Sequence, residues 1–363
     1  MARFGSLIKL CVIFAWVRSF MDASLERLLG LDGPSGFEDR VRSFLEVEFR
    51  RYADRVYMDG VGNLYAERLG DEKRRLMFCA HMDEVGFMVQ HITQTGFIRF
   101  TPLGGWDERV LPGMEVKILG KEEVYGVVAT KPPHIPSEAE RKKVMEFDEL
   151  YVDTGLNPKE LGELGVEVGI PIVPTSTPRE RGNIVKSKAL DDRVGCYNLL
   201  RILRQFQTGS DTPTLVFVAT TQEEVGTRGA HVVSNTQRAD VALVLEATVA
   251  ADTPNVPEDK CPSRMGVGAV LTVMDRSMIA NQNVFHTLKK LAEKHGVKHQ
   301  IKKPGFGGTD AGPIHLAGSG IPSGVISVPC RYIHTANSYM DLSDIEEVLK
   351  LSETFIQEFP EKP

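Results

Sequence analysis

A chain of 363 residues that is 42% hydrophobic and 25% charged has ample material for a core and for about two domains, which excludes a disordered protein. A net charge of -6 leaves no basic footprint for nucleic acid, and no stretch approaches the ~20 apolar residues that span a bilayer. The five cysteines, Cys11, Cys79, Cys196, Cys261 and Cys330, are scattered and never spaced C-x-x-C, which speaks against a disulfide framework or a thiolate zinc site and suits a reducing, cytoplasmic setting.

Residues 1–20 contain an apolar run, Leu7 to Val17, that imitates a signal peptide but lacks a small-x-small cleavage site, so they read as an extension outside the fold. From Met21 onward the pattern is that of a domain. Ser35-Gly36-Phe37-Glu38 predicts a capping box for a helix over about 36–51, with Val41, Phe44, Leu45 and Phe49 on its apolar face. A short strand at Leu64-Tyr65-Ala66 follows a glycine turn. The run Leu76-Met77-Phe78-Cys79-Ala80 predicts a buried strand that delivers His81 and Asp83 at its end.

Between residues 86 and 174 the texture changes to short strand-like runs separated by Gly- and Pro-rich turns, at Gly96–Phe100, Met114–Ile118 and Val124–Val128. That spacing predicts a small inserted β-barrel or sandwich. The polar, proline-bearing stretch 131–143 reads as a mobile loop on it.

Alternating α and β elements resume with Leu190-Asp191-Asp192-Arg193, which opens a helix carrying Val194, Leu199, Ile202, Leu203 and Phe206. The buried strand Thr214–Ala219 ends in Glu223-Glu224, a helix is expected near 226–235, and the strand Val241–Leu245 ends at Glu246. Strands near 266–273, 297–302 and 323–328 and a helix over 283–295 come next, with a glycine turn at 305–310. His334 follows the last of these strands, and Ser343 to Glu346 predicts a capping box for a closing helix. The whole reads as an α/β fold: a mixed sheet flanked by helices, built from 21–85 and 175–363, with the β domain of 86–174 inserted.

Two imidazoles and several carboxylates thus fall where buried strands end: His81, Asp83, Asp191, Glu223, Glu224, Glu246 and His334. Without thiolates, such a set suits catalytic zinc, cobalt or manganese, and it suffices for two ions if one carboxylate is shared. Each residue alone has a plainer reading. Asp191 and Asp192 could cap a helix, a Glu-Glu pair could face water, and His91, His231, His286, His295, His299 and His315 read as ordinary polar groups. Asp83, two residues from His81 on an extended strand, can accept the second ring N–H. Glu246, closing an apolar strand, would be costly to bury unpaired.

Six blocks, Ala80–Gly86, Ala189–Gly195, Gln222–Gly226, Leu245–Thr248 with Ala251–Pro254, Gly308–Ala311 and Pro329–His334, resemble the signatures of the tetrahedral metallo-aminopeptidases of metallopeptidase family 42. That family includes glutamyl, leucyl and deblocking aminopeptidases and enzymes historically named cellulase M-type endoglucanases. The resemblance covers residues 22 to 357. It implies a zinc exopeptidase-like catalytic domain, a PDZ-like or barrel insert used for assembly and substrate access, and a dodecamer that admits peptides. It further implies two divalent metal ions, zinc or cobalt, bridged by Asp191, with His81 and Glu246 on one and Glu224 and His334 on the other. Glu223 would be the general base, Asp83 would orient His81, and the Asp191–Asp192 peptide would be cis. The chain departs from many relatives at Glu246, where they carry Asp, and at Thr335-Ala336, where they read Ser-Pro.

Two other activities use parts of this set. A related amidohydrolase or deacetylase shares His-x-Asp and Glu-Glu, but its extra domain follows the Glu-Glu element, whereas the long gap here separates His81 from Asp191. A glycoside hydrolase needs two carboxylates and would leave both histidines unexplained.

Overall fold

The computed structural model describes residues 21–359 apart from 133, 136, 138–141 and 210. The expectation for 1–20 lies outside the described residues, and so does part of the 131–143 loop. The strands, in chain order, are β1 (Arg55–Met58), β2 (Leu64–Arg68), β3 (Asp71–His81), β4 (Gly86–Ile92), β5 (Ile98–Leu103), β6 (Glu115–Leu119), β7 (Glu123–Ala129), β8 (Tyr151–Asp153) and β9 (Pro171–Pro174). They continue with β10 (Arg179–Arg181), β11 (Ile184–Ser187), β12 (Pro213–Thr220), β13 (Val241–Val249), β14 (Ala269–Thr272), β15 (His299–Lys302), β16 (Ser323–Cys330) and β17 (Ser338–Asp341).

Eight of these make one sheet in the order β1-β2-β12-β3-β13-β16-β14-β15, and β4 to β9 close into a barrel. The fold is the mixed α/β sheet with an inserted barrel that the sequence predicts. At the centre of the sheet β12, β3, β13 and β16 run parallel, so their carboxyl ends open on one edge. Every residue of β12 and β16 is buried, as expected of apolar, β-branched strands covered on both faces. The candidate site residues therefore emerge from rigid backbone.

The principal helices are α1 (Ala23–Gly30), α2 (Asp39–Phe49), α3 (Pro158–Glu163), α4 (Leu190–Gln205), α5 (Arg228–Thr236), α6 (Gln282–His295), α7 (Ala311–His315) and α8 (Leu342–Gln357). None is long and apolar enough to cross a membrane. α4 packs on β3 and β13, an approach close enough that a Cβ at Gly195 would lie 2.6 Å from the Leu245 carbonyl oxygen. Glycine is required there because helix and strand backbones nearly touch.

Three local expectations are corrected. Ser35 does not cap α2; its hydroxyl bonds Asp83 Oδ2 at 2.6 Å, and the helix starts later, behind Glu38. Asp341, not Ser343, caps α8 by accepting from the Ser343 N–H. Glu246 sits inside β13 rather than at its end, because the strand continues to Val249.

A buried charge cluster joins the barrel to the sheet. Lys188 Nζ bonds Asp32 and Glu84, each at 2.8 Å, and Lys117 of β6 reaches the other Asp32 oxygen at 2.5 Å. Burial alone would raise the Asp32 pKa, but Lys188 and Lys117 override it and hold the carboxyl below its ordinary value. Arg193, fully buried, bonds the carbonyls of Met82, Leu28 and Leu31 and the Glu84 carboxylate. Arg193→Leu strands those acceptors in the interior and is expected to cost about 3–5 kcal/mol of stability, read as the shift in a denaturant unfolding midpoint.

Candidate active site

The parallel strands bring His81, Asp83, Asp191, Glu223, Glu224, Glu246 and His334 together around one cavity of about 780 Å³, whose wall includes all of them except Asp83, which is buried behind it. Asp191 stands between the imidazoles. Its Oδ1 lies 3.0 Å from His81 Nε2 and its Oδ2 lies 3.3 Å from His334 Nε2. Glu246 Oε1 is 3.4 Å from His81 Nε2, and Glu224 Oε1 is 3.2 Å from His334 Nε2. Two donor triads, His81–Asp191–Glu246 and His334–Asp191–Glu224, thus share one carboxylate.

Asp83 faces the His81 ring, the position expected of it. Its Oδ1 is 3.4 Å from His81 Nδ1, but the Asp83 backbone carbonyl is nearer, at 3.1 Å. Its carboxylate also accepts the backbone N–H groups of Glu223 and Glu224, at 2.9 and 3.2 Å, and the Ser35 hydroxyl. Asp83 therefore sets the Glu-Glu turn as well as the His81 ring. Asp192 lies near His81 and Glu246 but is turned to the backbone, accepting from the N–H groups of His81 and Gly195.

Around the site the backbone is held in unusual conformations. Ala189, Gln222, Thr227, Tyr332 and His334 all have positive φ, and the Asp191–Asp192 peptide is cis. A left-handed non-glycine residue costs of order 1–3 kcal/mol, and such residues persist where surrounding structure enforces them.

The electrostatics follow from burial opposed by pairing. Burial would raise Asp191, but His334 and His81 hold it well below the carboxylate range. Burial lifts Glu246 to about 8, a rise that His81 moderates, and it raises Glu224 and Glu223 as well. Burial disfavours a charged His334, yet Glu224 and Asp191 raise its pKa to about 11.

This donor set fits divalent cations. Glu224 Oε1 and Glu246 Oε1 are buried without a hydrogen-bond partner, each facing an imidazole nitrogen already engaged by Asp191. Ligands at 2.0–2.1 Å around a tetrahedral ion lie roughly 3.3 Å apart. The four nitrogen–oxygen separations, 3.0 to 3.4 Å, match that spacing.

Three contributors escaped the sequence reading. The Gly105 carbonyl, on a loop of the barrel domain, lies 2.8 Å from His334 Nδ1; Trp106 anchors that loop by bonding the Gly86 carbonyl and stacking on Phe87. A backbone acceptor leaves no residue-type signal. Asp310, quoted only within a motif, is buried beside the site and takes the Thr220 hydroxyl, and burial lifts its carboxyl to about 6. Lys302 lines the cavity, though in sequence it is one half of a Lys-Lys pair that reads as solvated.

The model of the M42 glutamyl aminopeptidase family matches residues 62–351. The chain belongs to that family. It is therefore a peptide hydrolase of the aminopeptidase type, the activity class its sequence blocks imply. A putative aminopeptidase of Acetivibrio thermocellus is 34% identical, with 90% of this chain and 96% of the relative covered. The glutamyl aminopeptidase of Lactococcus lactis is 32% identical (88% and 91% covered) and the lysyl aminopeptidase of Pyrococcus furiosus 30% (92% and 96%). Among solved structures, the TET aminopeptidase of a marine sediment Thaumarchaeota archaeon superposes with a TM-score of 0.89 at 36% identity, covering 93% of this chain and 96% of that one. The Pyrococcus horikoshii TET1 peptidase, described as assembling into a tetrahedron or a large octahedral shell, gives 0.81 at 30% identity (92% and 98%).

Removing the Asp83 carboxylate releases the Glu223 and Glu224 amides and the His81 ring together. Asp83→Ala is expected to weaken divalent metal affinity about 10–100-fold, measured by calorimetric titration of zinc into metal-free protein.

Proposed function

We propose that this aminopeptidase works with two divalent cations, zinc or cobalt, one held by His81, Asp191 and Glu246 and the other by His334, Asp191 and Glu224, with Glu223 as general base. The observation that carries the reading is the pair of donor triads meeting on Asp191 while the neighbouring Glu223 carboxylate bonds neither imidazole. Cations bound there would supply Lewis acidity and lower the pKa of water towards neutrality.

The chain's own groups do the rest. Glu223, its turn fixed by Asp83, takes a proton from the attacking water as the first peptide carbonyl becomes tetrahedral. The same carboxyl then returns the proton to the departing amine. Burial raises its pKa above the ordinary carboxylate value, which helps it hold the proton between the two transfers. Substrates are peptides with a free amino end.

A glycosidase would use two of the carboxylates and leave His81 and His334 without a task, so nothing favours it. We assign residues 86–174 as a separate domain serving assembly and substrate access, and the oligomer as a dodecamer; a TET1 structure described as a dodecamer, 30% identical with a TM-score of 0.82, supports the oligomer. The thiols of Cys79, Cys196, Cys261 and Cys330 are free, which supports a reducing, cytoplasmic setting.

Glu223→Gln keeps the size and both triads but removes the base. Turnover of an aminoacyl reporter is expected to fall by at least about 10²–10⁴-fold, with metal content by elemental analysis unchanged. Normal turnover in that variant overturns the assignment of Glu223, and two-ion loading is checked by the same elemental analysis.

A further inference from the structure

The two triads are not braced alike. His81 ends β3 with its side chain 2% exposed, and its Nδ1 meets Asp83, two residues on and ahead of the barrel. His334 stands on the loop after β16 with φ +58° and its side chain 32% exposed, and its Nδ1 meets the Gly105 carbonyl of the barrel at 2.8 Å. A side chain carried on a loop is placed less precisely than one at a strand end, so it depends more on whatever holds its second ring nitrogen.

That brace is the loop 104–106, which leaves the barrel directly after β5. Two glycines bring its backbone in close. Gly104 has φ +85°, and a Cβ there would lie 2.7 Å from Val85 Cγ1 and 3.2 Å from Glu224 Cβ; one on Gly105 would lie 3.4 Å from His334 Nδ1. The loop therefore packs on both His334 and Glu224, two of the three residues of one triad. Trp106 seats it. The indole Nε1–H donates to the Gly86 carbonyl at 3.0 Å, and the ring stacks on Phe87 with centroids 4.6 Å apart, while Phe87 lies edge-on to Phe100 in the barrel core. Among the described residues no hydrogen bond or ion pair joins the barrel to His81 or Glu246.

We propose that Trp106 is a positioning residue for one ion site only: through the loop 104–106 it sets His334 and Glu224, so the inserted barrel completes the His334–Asp191–Glu224 triad, while the His81–Asp191–Glu246 triad stands without it. This rests on the two-cation reading and deepens it. Asp191 is common to both triads, so a defect confined to one of them has to enter through the residues they do not share, and on one side those are the two that the loop touches. Without the indole the loop loses its seat on β4, and His334 Nδ1 loses a fixed acceptor. The ring is then free to turn its Nε2 away from Asp191 and Glu224.

The test is calorimetric titration of zinc into metal-free, full-length protein, read as the number of ions bound and the affinity of each. Trp106→Ala is expected to keep one ion at wild-type affinity and to weaken the other by roughly 10- to 100-fold. Trp106→Phe, which keeps the stack on Phe87, should recover most of that loss. The weakened site is identified on one-site backgrounds: Trp106→Ala should weaken the ion that remains in Glu246→Gln and leave unchanged the ion that remains in Glu224→Gln. Should Trp106→Ala not fold, Gly105→Ala, which sets a methyl against His334 Nδ1 and leaves Trp106 in place, should give the same loss of one ion. Equal weakening of both ions, no weakening of either, or a loss that appears on the Glu224→Gln background overturns the proposal and leaves the two-cation reading intact. A wild-type protein that binds fewer than two ions defeats the two-cation reading and this proposal with it.

Discussion

Asp191 carries an imidazole on each carboxylate oxygen, and the rest of the architecture is arranged so that it can. The two histidines come from opposite ends of the chain, His81 at the end of β3 and His334 beyond β16, and Asp191 comes from the first turn of α4. Only a sheet in which β3, β13 and β16 run parallel and adjacent delivers these segments to one edge. Around that shared carboxylate sit three more acids in a poorly solvated pocket. With four carboxylates against two imidazoles, burial pushes Glu223, Glu224 and Glu246 towards the protonated form, and divalent cations would be what holds them ionised.

Placement of the acids then becomes a backbone problem. Glu223 and Glu224 are adjacent in sequence but have different neighbours: Glu224 faces His334, whereas Glu223 stays clear of both rings. Asp83 achieves the separation by binding both amides, and Gln222 adopts φ +55° so the chain can turn into that grip. Ser35 and Glu38 reinforce it from the α2 side, Ser35 on the Asp83 carboxylate and Glu38 on the Gln222 N–H. The same residues were read in the sequence as a helix cap, because Ser-x-x-Glu has the same pattern whether it closes a helix or braces a distant turn.

What was legible in the sequence is what repeats or alternates. Buried strands such as Thr214–Ala219 and the apolar face of the closing helix are periodic, and the acids that follow them stand out against the apolar background. The fold class and the convergence of seven residues could be read from that alone, with the resemblance supplying the roles. What could not be read depends on through-space proximity. Gly105 contributes a carbonyl, which any residue type would offer. Lys302 differs from Lys303 only in where its side chain ends, one buried in the cavity wall and the other partly exposed, and no local pattern distinguishes them.

The barrel matters to the chemistry because of where it is inserted. The chain leaves the sheet immediately after Asp83 and Glu84 and returns just before Lys188 and Asp191, so both ends of the excursion lie beside residues of the site. Those ends are fastened to each other by the 2.8 Å Glu84–Lys188 bond, and Asp32 fastens them to Lys117 on the barrel itself. With its neck fixed, the barrel can reach across and set the Gly105 carbonyl against His334 Nδ1, so that Nδ1 donates to it and Nε2 is turned to Asp191 and Glu224. One imidazole of the pair is therefore oriented by Asp83, just beyond its own strand, and the other by the inserted barrel. A rearrangement of the barrel relative to the sheet would act on the His334 triad first and leave the His81 triad in place.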